Sequence, residues 1–179
     1  MASISQKKVV DHILRAICAE TTTEKGRIYE DLIIYIMSQV AGISSATRDT
    51  LNPFHSEETD IVFWNEKDRR GLSFLPSRIL TEVKGWSSPV GSNEISFFET
   101  KLRERNANFG LFVAMNGVTG FTENTPQGAR DLIRMALSRG IEIVVLTGND
   151  LLSINSGADF VALLKDKLCQ IHASGTQVS

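Results

Sequence analysis

The sequence predicts an α/β fold with a mixed central β-sheet flanked by helices, and three features predict it. Up to Val40, apolar residues recur at helical spacing. Two short β-rich segments, "TDIVFWN" and "RILTEVKGW", follow on either side of a charged turn and read as a hairpin. Two almost continuous apolar runs, "FGLFVAMN" and "IEIVVLTG", then alternate with helical segments. Such runs mark strands covered on both faces, here parallel and joined by a right-handed crossover.

Taken in order, residues 6–20 read as a helix with Val9, Val10, Ile13, Leu14 and Ile17 on its apolar side. "AETTTEKG" reads as a polar connection. A second helix over 27–40 buries Tyr29, Leu32, Ile33, Ile36, Met37 and Val40, and Gly42 stops it. Residues 43–58 show no clear period, and "PFHSEET" reads as a turn or loop. Strands over 59–65 and 78–86 flank the polar tip "EKDRRG". Past "SSPVGS", a helix over 93–106 points Ile95, Phe98 and Leu102 inward. "FGLFVAMN" is the next strand and "GVTGFTENTPQG" a loop. A helix over 126–139 follows, with Pro126 suited to its first turn. "IEIVVLTG" is the last strand, "NDLLSI" a short helical turn, 158–172 a final helix and "ASGTQVS" a frayed tail. One domain over 1–179 results: an N-terminal helix (1–23), a core (24–155), and a C-terminal helix and tail (156–179).

Composition narrows the classes. A chain of 179 residues can bury a sizeable core, and 42% hydrophobic with 22% charged residues is ordinary for a globular protein. No apolar run reaches the roughly 18 residues that span a bilayer. The first residues lack a signal-peptide h-region, so a cytoplasmic location without membrane contact is expected. Cys18 and Cys169 form no CxxC pair and no disulfide framework, and are expected to be small core or half-exposed residues. A net charge of −2 argues against an electrostatic sponge for nucleic acid. It leaves room for an enzyme whose acidic site offsets local basic patches.

The chemistry gathers on the hairpin. Asp60 opens one strand, while Glu82 and Lys84 share a face of the next by alternation. With Asp60 opposite, two carboxylates and one ammonium converge. Two close carboxylates repel unless a cation sits between them, and their oxygens suit Mg²⁺. Such an ion polarises a phosphate and lowers the pKa of a bound water. A neighbouring lysine positions or deprotonates that water, or stabilises charge developing on phosphorus. For an isolated E-x-K, a solvent-facing strand is the ordinary explanation. Here the charges lie in an apolar strand, follow a strand-opening aspartate and lead into a Gly-Trp bend.

"TDIVFW…ILTEVKGW" resembles the D…(D/E)-x-K signature of the restriction-endonuclease-like nuclease superfamily. The elements that follow ("SSPVGS", "ISFFETKL", "FGLFVAMNGVTGFT", "LTGNDLL") resemble its Mrr-like branch, over about residues 24–155. Members of that branch often carry glutamine where Glu82 stands. The resemblance implies an αβββαβ core and Mg²⁺-dependent phosphodiester hydrolysis, with Mn²⁺ able to substitute. It implies Asp60, Glu82 and the Val83 carbonyl as metal ligands and Lys84 as the catalytic lysine. Glu30, in "GRIYE", resembles a glutamate that related nucleases place on the first core helix to ligate a second metal or orient a water; the ordinary alternative is a surface glutamate favoured at the helix start by the dipole.

Double-stranded DNA is the expected substrate, and a homodimer or larger assembly the expected state. The alternative is an inactive nuclease-fold module that binds nucleic acid or a partner protein in a defence or repair assembly. Lys67, Arg69, Arg70, Lys101, Arg103 and Arg105 are candidates for phosphate contact, but they are interleaved with acids and read first as solvated turns and helix faces. Trp86 reads as a packing residue rather than a base-stacking one. Ser87, Ser88 and Asn93 read as helpers at the site, Asn93 equally as a helix N-cap. His55, Glu57 and Glu58 match no metal-ligand spacing. "GVTGFTENTPQG" lacks the GK[ST] of a phosphate loop.

Overall fold

In the computed structural model, which describes residues 2–48, 60–120 and 128–174 (Asp60 and Ser174 by backbone alone), α1 spans Gln6–Ile17. Ser5 caps it by accepting from the Lys8 amide. Its apolar side is narrower than expected: Val9 and Ala16 are buried, whereas Val10, Leu14 and Ile17 are exposed. Ile13 is partly buried against the same core, so the helix rests on its neighbours by one narrow stripe.

The second helix, α2 (Thr22–Ser38), begins earlier than its apolar repeat. Thr21 Oγ1 accepts the Glu24 amide at 3.1 Å, and the Glu24 carboxylate accepts the Glu20 amide at 3.2 Å. "AETTTEKG" is therefore the capped first turns of the helix, a Thr-x-x-Glu start, and not a connection. Gly42 takes φ +80° in the turn that follows, a conformation L side chains adopt at a cost.

The turn at Gly42 leads into β1 (Ile43–Arg48), the third strand that the αβββαβ resemblance calls for and that the residue pattern over 43–58 does not mark. It is mostly exposed and lies at the sheet edge, so "ISSATR" needs no apolar alternation. It pairs antiparallel with β2 (Asp60–Asn65), which pairs antiparallel with β3 (Arg78–Lys84). Asn65 Nδ2 donates to the carbonyls of Leu72 and Pro76, closing the β2–β3 connection from inside. After α3 (Ser92–Glu104) comes β4 (Phe109–Ala114), buried throughout and parallel to β3. After α4 (Ala129–Ser138) comes β5 (Glu142–Leu146), parallel to β4. The chain ends on α5 (Gly148–Ser153) and α6 (Gly157–Ser174). The sheet is five-stranded and mixed, in the order β1-β2-β3-β4-β5.

Strand alternation divides the core in two. Ile61, Phe63, Ile79, Leu111, Val113, Val144 and Leu146 pack under α1, α2 and α6. Leu80, Phe112, Ala114, Ile143 and Val145 pack under α3 and α4 with Ile95, Phe98 and Leu102, the three α3 residues expected inside. Gly110 lets α3 sit directly on β4: a Cβ there would come within 2.6 Å of the Phe98 ring. Pro126, His55, Glu57, Glu58 and the tail over 175–179 lie outside the described residues.

Candidate active site

The face of β3 that carries Leu80 also carries Glu82 and Lys84, so both charges enter the layer beneath α3. Glu82 is 2% exposed, and Lys84 is also buried. Neither lacks charge compensation. Lys84 Nζ lies 3.2 Å from Glu82 Oε1 and 3.1 Å from Glu94 Oε2, and Lys101 Nζ lies 2.9 Å from Glu82 Oε2. The chain Lys101–Glu82–Lys84–Glu94 thus alternates in sign between β3 and α3. Alternation of this kind is what makes four ionic groups tolerable near a core.

The β2–β3 register makes Asp60 the direct cross-strand partner of Glu82, as the hairpin reading requires. Among the described side chains no group of three or more His, Cys, Asp or Glu forms a metal cage. Carboxylate and carbonyl oxygens at 60, 82 and 83 are the donor chemistry that a hard divalent cation takes.

Glu30 approaches the same end of the sheet from the α2 side. It is buried, and its Oε2 lies 3.5 Å from Arg48 Nε; Arg48 also binds Asp31. Arg48 stands opposite Ile61, the residue after Asp60. Neighbouring Tyr29 is held against the bend that follows Lys84: a Cβ on Gly85 would come within 2.6 Å of its ring. Burial raises the Tyr29 phenol above its ordinary pKa, which keeps it a neutral hydroxyl.

The bend itself is anchored to the loop after β4. The Met115 amide donates to the Lys84 carbonyl, Asn116 Nδ2 to the Trp86 carbonyl, and the Val90 amide to the Gly117 carbonyl. Trp86 is a rim aromatic and not a core one: it is 45% exposed, with Lys84 Nζ 6.0 Å from its ring centroid. Ser87 and Ser88 are exposed beside it. Gly91 is the N-cap of α3, so Asn93 is an exposed residue within the helix and not its cap.

Two members of the ionic chain stand outside the sequence-predicted site: Glu94, which the sequence does not single out, and Lys101, which reads there as a solvated helix charge. Their seven-residue spacing puts them on one stripe of α3, flanking buried Ile95, Phe98 and Leu102, and that was the available signal. Lys101 is thus no solvated helix charge. Arg103 is also engaged, on Glu99, which Arg139 grips through both carboxylate oxygens at 2.8 and 2.6 Å. The Glu99 carboxylate raises the pKa of Arg139. Arg70 pairs with Asp68 in an exposed turn, as expected. His12 stacks on Tyr35 and His172 meets Glu142, both away from the ionic chain. Cys18, the C-cap of α1, and Cys169, on α6, are free and exposed, so neither is a core residue.

Among the described residues, no helix is long and apolar enough to cross a membrane. A comparison with curated proteins found no match to the chain. The family model Mrr_cat, described as restriction endonuclease, matches residues 26–154, a span that runs from α2 to α5 and includes every residue of the ionic chain. With the mixed sheet and its flanking helices, that match identifies the chain as a member of the Mrr-like restriction endonuclease family.

Proposed function

We propose that the chain is a metal-dependent endonuclease that hydrolyses phosphodiester bonds in double-stranded DNA. The observation that carries this reading is the Lys84 ammonium held between Glu82 and Glu94, with Asp60 the cross-strand partner of Glu82. Asp60, Glu82 and the Val83 carbonyl are the residues that would hold Mg²⁺, or Mn²⁺ in its place. Such a cation, when bound, neutralises phosphate charge and acidifies a water. Lys84 stabilises the charge that develops on the phosphate oxygens as the bond to the leaving oxygen breaks. Glu94 holds the Lys84 ammonium from the helix side, so it meets the substrate in one position. Glu30 supports the centre from α2 by fixing Arg48 beside the start of β2. With one centre per chain, two copies are the simplest way to cut both strands.

Supercoiled plasmid tests the proposal. The expected result is conversion to nicked and linear forms with Mg²⁺ or Mn²⁺, none in EDTA, and recovery when the metal is restored. The result against it is no cleavage of any DNA with either metal by a protein that is folded.

A further inference from the structure

Glu82 is gripped from two sides, and the two grips differ. Lys84 is short-tethered to the same strand, is held by Glu94 as well, and its side chain is 10% exposed. Lys101 reaches in from α3, lies 2.9 Å from Glu82 Oε2, and its side chain is 21% exposed. A lysine is a compact, strongly hydrated charge on a flexible stem, so one at the boundary can exchange a carboxylate for water with little rearrangement. Lys84 is the better buried of the two.

A divalent cation bound through Glu82 takes lone pairs from the same carboxylate that the two ammoniums share. A second positive group a few ångströms away then repels it. We propose that Lys101 is a positioning residue that competes with the cation for Glu82: it holds the carboxylate in place and yields Oε2 when the cation binds. The competition rests on the metal-site reading above and goes beyond it, because it sets how tightly the site takes its metal. Without Lys101, cation affinity rises.

Calorimetric titration of Mn²⁺ into the full chain, in the absence of nucleic acid, tests this. Lys101→Met keeps the stem and removes the charge. The expected result is tighter Mn²⁺ binding by about tenfold, the scale of one lost charge-assisted contact. Lys101→Arg, which restores the charge, is expected to return affinity towards wild type. The thermal shift that Mn²⁺ produces is expected to be larger in Lys101→Met than in wild type, since tighter binding to the native state stabilises it more. A merely structural ion pair would leave affinity unchanged or lower it. Mn²⁺ affinity that depends on Glu82, shown by its loss in Glu82→Gln, but is unmoved or weakened in Lys101→Met overturns the competition alone. Binding that survives Glu82→Gln overturns the metal site and the competition with it.

Discussion

Each buried charge at the centre has a partner of opposite sign, and that pairing makes the cost of every substitution specific. Glu94 touches Lys84 at 3.1 Å and acts on it from the first turn of α3. Glu94→Gln keeps the shape and removes the charge, so the Lys84 ammonium is less firmly held. Cleavage is expected to slow by about tenfold, the effect of losing one close ion-pair contact on Lys84, with little change in Tm. Gly85 has a different role. An alanine there would place its Cβ within 2.6 Å of the Tyr29 ring, which is itself buried. Gly85→Ala is expected to cost about 1–3 kcal/mol, read as a lowered midpoint in urea. At this scale the sequence is most legible where a charge is out of place. Glu82 and Lys84 stand out because they interrupt an apolar strand, and Asp60 because it opens the strand beside them. Glu94 and Lys101 do not stand out, since charged residues are the ordinary furniture of a helix.

The elements that matter most to the centre are β3 and α3, and their spacing depends on β4. Gly110 leaves room for Phe98 and Leu102; a Cβ there would lie 2.6 Å from the Phe98 ring and 2.8 Å from Leu102 Cδ1. Gly110→Ala is expected to push α3 off the sheet, costing about 1–3 kcal/mol and loosening the Lys101–Glu82 contact. Differential scanning calorimetry and the Mn²⁺ titration check the two effects separately; an unchanged Tm would show that the helix does not rest on this glycine. The elements whose burial covers a full face, β3, β4, β5 and α3, were readable because their apolar pattern reports that burial. β1 was not: its exposed edge position leaves no pattern to read. The start of α2 was missed because its signal is a capping arrangement, Thr21 with Glu24, outside the apolar repeat.

Over the molecule as a whole, no covalent clamp holds the fold. Cys18 and Cys169 are both free and exposed. Two thiols per chain are therefore expected to react with a thiol reagent under native conditions, and reductant is expected to leave Tm unchanged. Stability rests instead on the two apolar layers either side of the sheet, and the ionic chain is set into the α3 layer at the end where Asp60 and Glu82 meet. The family resemblance was legible from the order of elements around that pair, because the sheet places them together before any side chain is considered. The central claim is that Asp60, Glu82 and Lys84 act as one hydrolytic centre. Single-turnover cleavage of a DNA duplex with saturating Mg²⁺ tests it most directly, comparing wild type with Asp60→Ala, Glu82→Ala and Lys84→Ala. Each variant is expected to be at least about a hundredfold slower while retaining a cooperative thermal transition. A folded variant of any of the three that cleaves at the wild-type rate would contradict the account.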